Sequence, residues 1–308
     1  MYSYYPMTYA SRPVHVIKAQ TDSSHDVQIS VMAERFDSVD PLKLVSDFRD
    51  SYLETNGYAR IGAINGGIFN PQYAPIIYAN GIEVAYWTIN ENDDTTLDAV
   101  MGIAHDGNAS NIPIIASQSE LKSSIGSYRG AITGAFGLIK NGVEHKGAWL
   151  QGAPTKKSGR SIIGKDSSGV IYFIASPGVS PTVSNPDGIG LSGQNCIDLC
   201  LSLGLSDAIA LDGGGSVSLI YEDNWKVSTS RQVKNAIGLY IKQKSPNPDP
   251  DPTPGTGLTY ARNMYVPMFA HKWPHKIMSN GQLVPVIDIK VKRNGALVSL
   301  NELKKGGN

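Results

Sequence analysis

The sequence predicts an α+β protein: one large mixed or antiparallel sheet with helices packed on it, followed by a small C-terminal tail that contains a β-hairpin. Three observations predict this. Strand-like runs outnumber helix-like runs through residues 1–243. Helical periodicity with matching start and stop residues is confined to 40–54 and 192–204. Alternate prolines in KSPNPDPDPTPGTG, residues 244–257, oppose helix and central strand and read as an extended linker. The sequence thus divides into a body at 1–243, a linker at 244–257 and a tail or docking module at 258–308, which is small for an independent core.

In chain order, VHVIKAQ (14–20) and VQISVMAE (27–34) alternate in the manner of strands. DPLKLVSDFRDSYLE reads as a helix with Asp40 as N-cap and Pro41 in the first helical position. Leu44, Val45, Phe48 and Tyr52 would form its apolar face. ARIGAIN (59–65) reads as a buried strand, and RSIIGKDSSGVIYFIAS (160–176) as a hairpin turning at 166–169. SGQNCIDLCLSLG is a second helix, capped by Ser192 and stopped at Gly204. DAIAL (207–211) and NAIGLYIK (235–242) are strands, and Asn294-Gly295 in the tail marks a hairpin.

Composition narrows the function classes. Of 308 residues, 41% are apolar and 18% charged, as in a globular chain. Lys+Arg and Asp+Glu number 27 each, so net charge gives no reason to expect nucleic acid or an anionic membrane as partner. The chain shows no run of about 18 apolar residues, so no membrane insertion is expected. The first twenty residues lack the basic start and apolar core of a signal peptide. A soluble protein is expected, with action outside a cell or on a virion left open. Cys196 and Cys200 share a helix face and read as core residues. His271 and His275 flank Pro274, which argues against a helix aligning them, and no metal or other cofactor is expected.

Chemistry concentrates in two glycine elbows. IGAINGGIFN runs a strand into Asn65, Gly66 and Gly67; AIALDGGGS runs a strand into Asp212, Gly213, Gly214, Gly215 and Ser216. Glycine permits positive φ and close approach of a ligand to backbone, and successive free N–H groups can form an anion nest. An ordinary turn is the plainer reading of each elbow alone. Guanidinium groups bind phosphate oxygens in pairs. Arg160, in KKSGRSIIG with Lys156 and Lys157, and Arg231, in STSRQVKNAIG with Lys234, each stand just before a strand. DGGGSVS does not fit the G-x-S-x-G nucleophile elbow, and no P-loop motif is present.

NGGIF, GRSIIG…SGVIYFIAS, LGLSDAIALDGGGS and RQVKNAIGLYI stand in the order found in the phosphodiester glycosidase family, which this chain resembles over about 10–242. The resemblance implies hydrolysis of the bond between a sugar's anomeric carbon and a phosphodiester oxygen. By motif match, Asp212, Asn65 and Arg160 would be catalytic, and Gly66, Gly67, Gly213, Gly214, Gly215, Ser216 and Arg231 would bind substrate. Two departures stand out: RSIIG where the family often has RTAIG, and ASPG at 175–178 where it often has Asp-Gly. The expected partner is a phosphorylated sugar or a glycopolymer such as a teichoic acid or phosphorylated exopolysaccharide. Two alternatives remain: a non-catalytic phosphosugar-binding module, or a phosphodiesterase that cuts the P–O bond. The tail reads as a docking element for a cell wall or a viral tail assembly.

Overall fold

The computed structural model of the chain describes residues 1–33, 42–68, 77–79, 82–83, 99–101, 128–145 and 155–244, with four short strands between 276 and 299. Asp40, Pro41, His105, His271 and His275 lie outside the described residues. The chain divides into two compact units, Met1–Pro248 and Asp249–Asn308.

The first unit corrects the expectation of a single large sheet: its strands form two antiparallel sheets that face each other, with a smaller third. The first sheet has the order β1-β2-β12-β11-β13-β9-β10. Its strands are β1 (Tyr2–Tyr9), β2 (Arg12–Ala19), β9 (Phe136–Lys140), β10 (Val143–Glu144), β11 (Arg160–Asp166), β12 (Ile171–Ser176) and β13 (Leu205–Ala210). The second sheet contains β3 (His25–Ala33), β4 (Ala59–Asn65), β14 (Leu219–Tyr221), β15 (Asn224–Val227) and β16 (Asn235–Gln243), in the order β15-β14-β4-β16-β3. A third contains β5 (Ile77–Ala79), β6 (Ile82–Glu83), β7 (Ala99–Met101) and β8 (Ala131–Thr133), in the order β6-β5-β8-β7.

Side-chain alternation builds the layers. On β12, Ile171, Phe173 and Ala175 enter a core shared with Val27, Ile29, Ile64, Ile237 and Leu239 of the second sheet. Tyr172 and Ile174 face the other way, into a core with Cys196, Ile197, Leu199 and Cys200. Both faces are covered, so the strand reads as an unbroken apolar run rather than an alternating one. On β16, Ile237 and Leu239 point into the inter-sheet core while Ala236 and Tyr240 pack with Val45, Phe48 and Leu53 on its far side.

The helix α2 (Gly193–Ser202) shares a core with the first sheet. Ser192 Oγ accepts from the Asn195 amide while the Asn195 side chain accepts from the Ser192 amide, closing a capping box. Gly204 ends it at φ +74°. Burial pushes the Cys196 thiol up to about 12, so both cysteines behave as core residues.

The predicted helix over 40–54 is interrupted. Val45–Asp47 makes a single 3-10 turn, Phe48 and Asp50 are extended, and α1 (Ser51–Thr55) follows. Asp50 is the cause. Its fully buried carboxylate pairs with Arg129, accepts from Ser30 Oγ and caps the Leu53 amide at 3.1 Å. Its own amide donates to Tyr240 Oη at 2.8 Å. Those tertiary bonds hold Asp50 out of a helix that propensity alone would have continued.

β1 was not anticipated, because Pro6 interrupts its pattern. It pairs along its length with β2 at the sheet edge, where a missing N–H is tolerated. In the second unit, β17 (Lys276–Ser279) pairs antiparallel with β18 (Gln282–Pro285), and β19 (Lys290–Arg293) with β20 (Ala296–Ser299). Arg293 faces Ala296, the register of a two-residue connection.

Candidate active site

Asn65 ends β4 in the second sheet, and Asp212 follows β13 in the first, so the two elbows meet at the seam between sheets. The Asp212 amide donates to the Gly66 carbonyl at 3.1 Å, and Asn65 Nδ2 donates to the Asp212 carbonyl at 2.7 Å. The rest of the Asn65 side chain is also engaged. Nδ2 reaches the Gly66 carbonyl at 3.3 Å, and Oδ1 accepts from Ser161 Oγ at 2.6 Å and the Ser218 amide at 3.1 Å. Two donors and two lone pairs are all in use, on a fully buried residue. Asn65 thus ties three strand ends together.

The glycines of the two elbows do different things. Gly66 and Gly67 are buried against protein. A Cβ on Gly66 would lie 1.8 Å from Asn235 Oδ1, and one on Gly67 would lie 1.7 Å from the Thr133 carbonyl oxygen. In the second elbow Gly214 has φ +60°, and a Cβ there would lie 2.3 Å from Ser180 Oγ. The run of free amides read from the sequence as an anion nest is largely occupied. Gly214 N donates to Gly159 O at 2.9 Å and Ser216 N to Gly213 O at 3.2 Å. Gly215 remains exposed at the surface of the elbow.

Arg160 and Arg231 flank this elbow. Arg160 Nη1 lies 3.9 Å from where a Cβ on Gly213 would stand, and Arg231 Nη1 lies 3.6 Å from the same point on Gly215. Arg160 is held by Nε on the Leu191 carbonyl at 3.0 Å and Nη2 on the Lys156 carbonyl at 2.9 Å, with its guanidinium 5.4 Å from the Phe136 ring centroid. Burial lowers its pKa from the ordinary arginine value, and it pairs with no carboxylate among the described residues. A desolvated cation without a counter-ion favours an incoming anion. Lys156 and Lys157 are exposed.

Burial raises the Asp212 carboxyl above its ordinary value; the Ser216 hydroxyl, the Arg231 charge and the Gly213 amide act in the opposite direction. Ser216 Oγ is near enough to favour the carboxylate but falls outside hydrogen-bond geometry, and it has no other partner. The other acids singled out nearby in sequence serve elsewhere: Asp198 accepts from Gln194 at 3.0 Å, Asp207 lies 4.0 Å from Lys165, and Glu144 is exposed.

Sequence reasoning missed five residues here. Ser161 and Ser218 bond Asn65, and Ser158 and Ser180 bond each other at 3.0 Å beside Gly214. Asn235 packs against Gly66. Polar residues inside apolar strand runs, as in RSIIG and NAIGL, were the signal for Ser161 and Asn235.

A sequence profile of the phosphodiester glycosidase family matches residues 58–240, which enclose both elbows and both arginines. The chain belongs to this phosphodiester glycosidase family. Among solved structures it is similar to the catalytic domain of zebrafish N-acetylglucosamine-1-phosphodiester alpha-N-acetylglucosaminidase, auto-inhibited by its pro-peptide. The TM-score is 0.56 at 16% identity, over 77% of this chain and 82% of that one. At that identity the likeness is one of fold. A hypothetical protein from Synechocystis follows with TM-score 0.48 and 14% identity, over 78% of this chain and 62% of the other. Comparison with curated proteins gives no match. No helix among the described residues is long and apolar enough to cross a membrane.

Proposed function

We propose that this phosphodiester glycosidase hydrolyses the bond between the anomeric carbon of a sugar and a phosphodiester oxygen, with Asp212 as the carboxylate at the anomeric carbon. The observation that carries the reading is the pairing of opposites at one elbow. A half-buried carboxylate, Asp212, feels the Arg231 charge, and a desolvated Arg160 that pairs with no described acid reaches the Cβ position of the next residue, Gly213. Arg160 and Arg231 would bind the phosphate. As the C–O bond breaks, its electron pair leaves on the phosphate oxygen, which arginine stabilises, so the leaving group needs little protonation. Asp212 acts ionised, either taking a proton from water or attacking the anomeric carbon itself. Asn65 positions Asp212 through its carbonyl. Gly213, Gly215 and Ser216 would complete the substrate wall. Gly66 and Gly67 would contribute by letting the two elbows close on each other.

A glycopolymer carrying sugar-1-phosphodiester links is the substrate class this site suits, with the 258–308 tail as a docking element. The test is incubation of the full chain with an N-acetylglucosamine 1-phosphodiester and with phosphorylated glycopolymers in ¹⁸O-labelled water. Free sugar carrying the label supports cleavage at carbon. Label in phosphate would mean P–O cleavage, and binding without product would mean a non-catalytic module.

A further inference from the structure

Asn235 opens β16 with no exposed surface, and its carbonyl accepts from the Gly66 amide at 3.1 Å. Its side chain is in a different state. Nδ2 and Oδ1 are both buried and have no hydrogen-bond partner. A carboxamide brings two donors and an acceptor, and sealing them unpaired in a low-dielectric interior is destabilising. An apolar side chain of the same size would avoid that penalty. The surroundings yield to this carboxamide: residue 66 is a glycine, and Asn235 Oδ1 fills the space its Cβ would need. Ser216 Oγ at the other elbow is likewise buried and unpartnered. The unpaired Asn235 carboxamide thus lies against Gly66, whose carbonyl accepts the Asp212 amide.

We infer that Asn235 is a sugar-specificity residue: its carboxamide pairs with hydroxyl groups of the bound glycone, with Ser216 taking a further one. The inference rests on the glycosidase reading above and extends it. The unpaired atoms include an acceptor as well as a donor, and this decides the ligand chemistry. A sugar hydroxyl both donates and accepts, so it satisfies both ends of a carboxamide. An ionised phosphate only accepts, would leave Oδ1 unpaired, and already has Arg160 and Arg231. Both Asn235 atoms are closed to solvent without ligand, so sugar binding includes a local shift of the contact between Asn235 and Gly66.

The experiment uses the full chain with Asn235→Leu and Asn235→Ala. Removing an unpaired amide leaves Tm unchanged or raised. It lowers kcat/KM on an N-acetylglucosamine 1-phosphodiester by on the order of 100-fold. It also brings the preference for that sugar over at least one of its monodeoxy analogues towards unity. A fall in Tm with equal loss on parent and deoxy sugars, or unchanged kcat/KM, overturns the proposal. A readout independent of turnover follows the Asn235 side-chain ¹⁵N–¹H resonances as N-acetylglucosamine or inorganic phosphate is added. The sugar moves them and phosphate does not. If the sugar moves them in a wild-type protein that hydrolyses nothing, the glycosidase reading fails and the sugar contact stands. If they stay fixed, the sugar contact fails whether or not hydrolysis occurs.

Discussion

Asn65 Nδ2 donates to the Asp212 carbonyl at 2.7 Å, across the seam between two sheets, while Asn65 Oδ1 holds Ser161 and Ser218. Asn65→Ala removes these bonds and strands a buried hydroxyl, an amide and the Asp212 carbonyl, while the Gly66 carbonyl keeps the Asp212 amide. The expected loss is about 2–4 kcal/mol of stability, at roughly 1 kcal/mol per bond. Urea unfolding followed by circular dichroism checks it; a loss within error of zero would mean the cross-seam bonds contribute nothing.

Asp212→Asn should remove turnover almost entirely, by about 10³-fold or more, because it deletes the charge at the reacting carbon while keeping the shape. Single-turnover release of reducing sugar measures it. Substantial turnover by the mutant would take Asp212 out of the chemistry.

The same substitution has a pH signature. Burial raises the Asp212 carboxyl, so its neutral form is the one folding favours. That contribution is fully present below the ordinary aspartate value of about 3.9 and is lost as pH rises through the higher folded-state value. The Tm gain of Asp212→Asn over wild type should therefore grow from acid to neutral pH. The acid limb of wild-type kcat/KM should also lie above about 3.9. An acid limb below that value contradicts the raised carboxyl.

Arg160→Ala should weaken cleavage of phosphodiester substrates by on the order of 100-fold more than cleavage of neutral aryl glycosides, since only the former place an anion beside the guanidinium. Arg160→Lys should recover little, because Nε and Nη2 are already fixed on two carbonyls and the fork geometry is lost. Equal losses on both substrate types would argue against a phosphate contact.

Gly67→Ala should prevent accumulation of folded protein, because the new Cβ would meet a backbone oxygen at 1.7 Å, which cannot step aside. Gly214→Ala meets only the Ser180 hydroxyl but must hold φ +60°, at about 1–2 kcal/mol. Soluble yield and thermal melting separate the two cases.

What the sequence revealed and what it hid follow from the range of the forces involved. The hairpin at 160–176 and the α2 helix were legible because their signals are local: a turn at 166–169, a cap at Ser192, a stop at Gly204. Two hairpin turns were not legible, because Ala10-Ser11 and Glu222-Asp223 hold positive φ without glycine or asparagine. The break in the 40–54 helix depends on Arg129 and Tyr240, remote in sequence. Both elbows were visible as glycine runs, but whether a glycine makes room for ligand or for protein is a question of what lies opposite. For Gly66 that is Asn235, 169 positions later by subtraction of the residue numbers.

Asp50 links the edge of the fold to its middle in the same economical way. One carboxylate caps α1, binds Arg129 and takes the Ser30 hydroxyl, while its amide meets Tyr240. Fraying of that short outer helix is therefore coupled to the strand that begins at Asn235. Heat or protease acting on the 45–55 flank would be felt at the seam between the two elbows as lost alignment rather than as a trimmed surface.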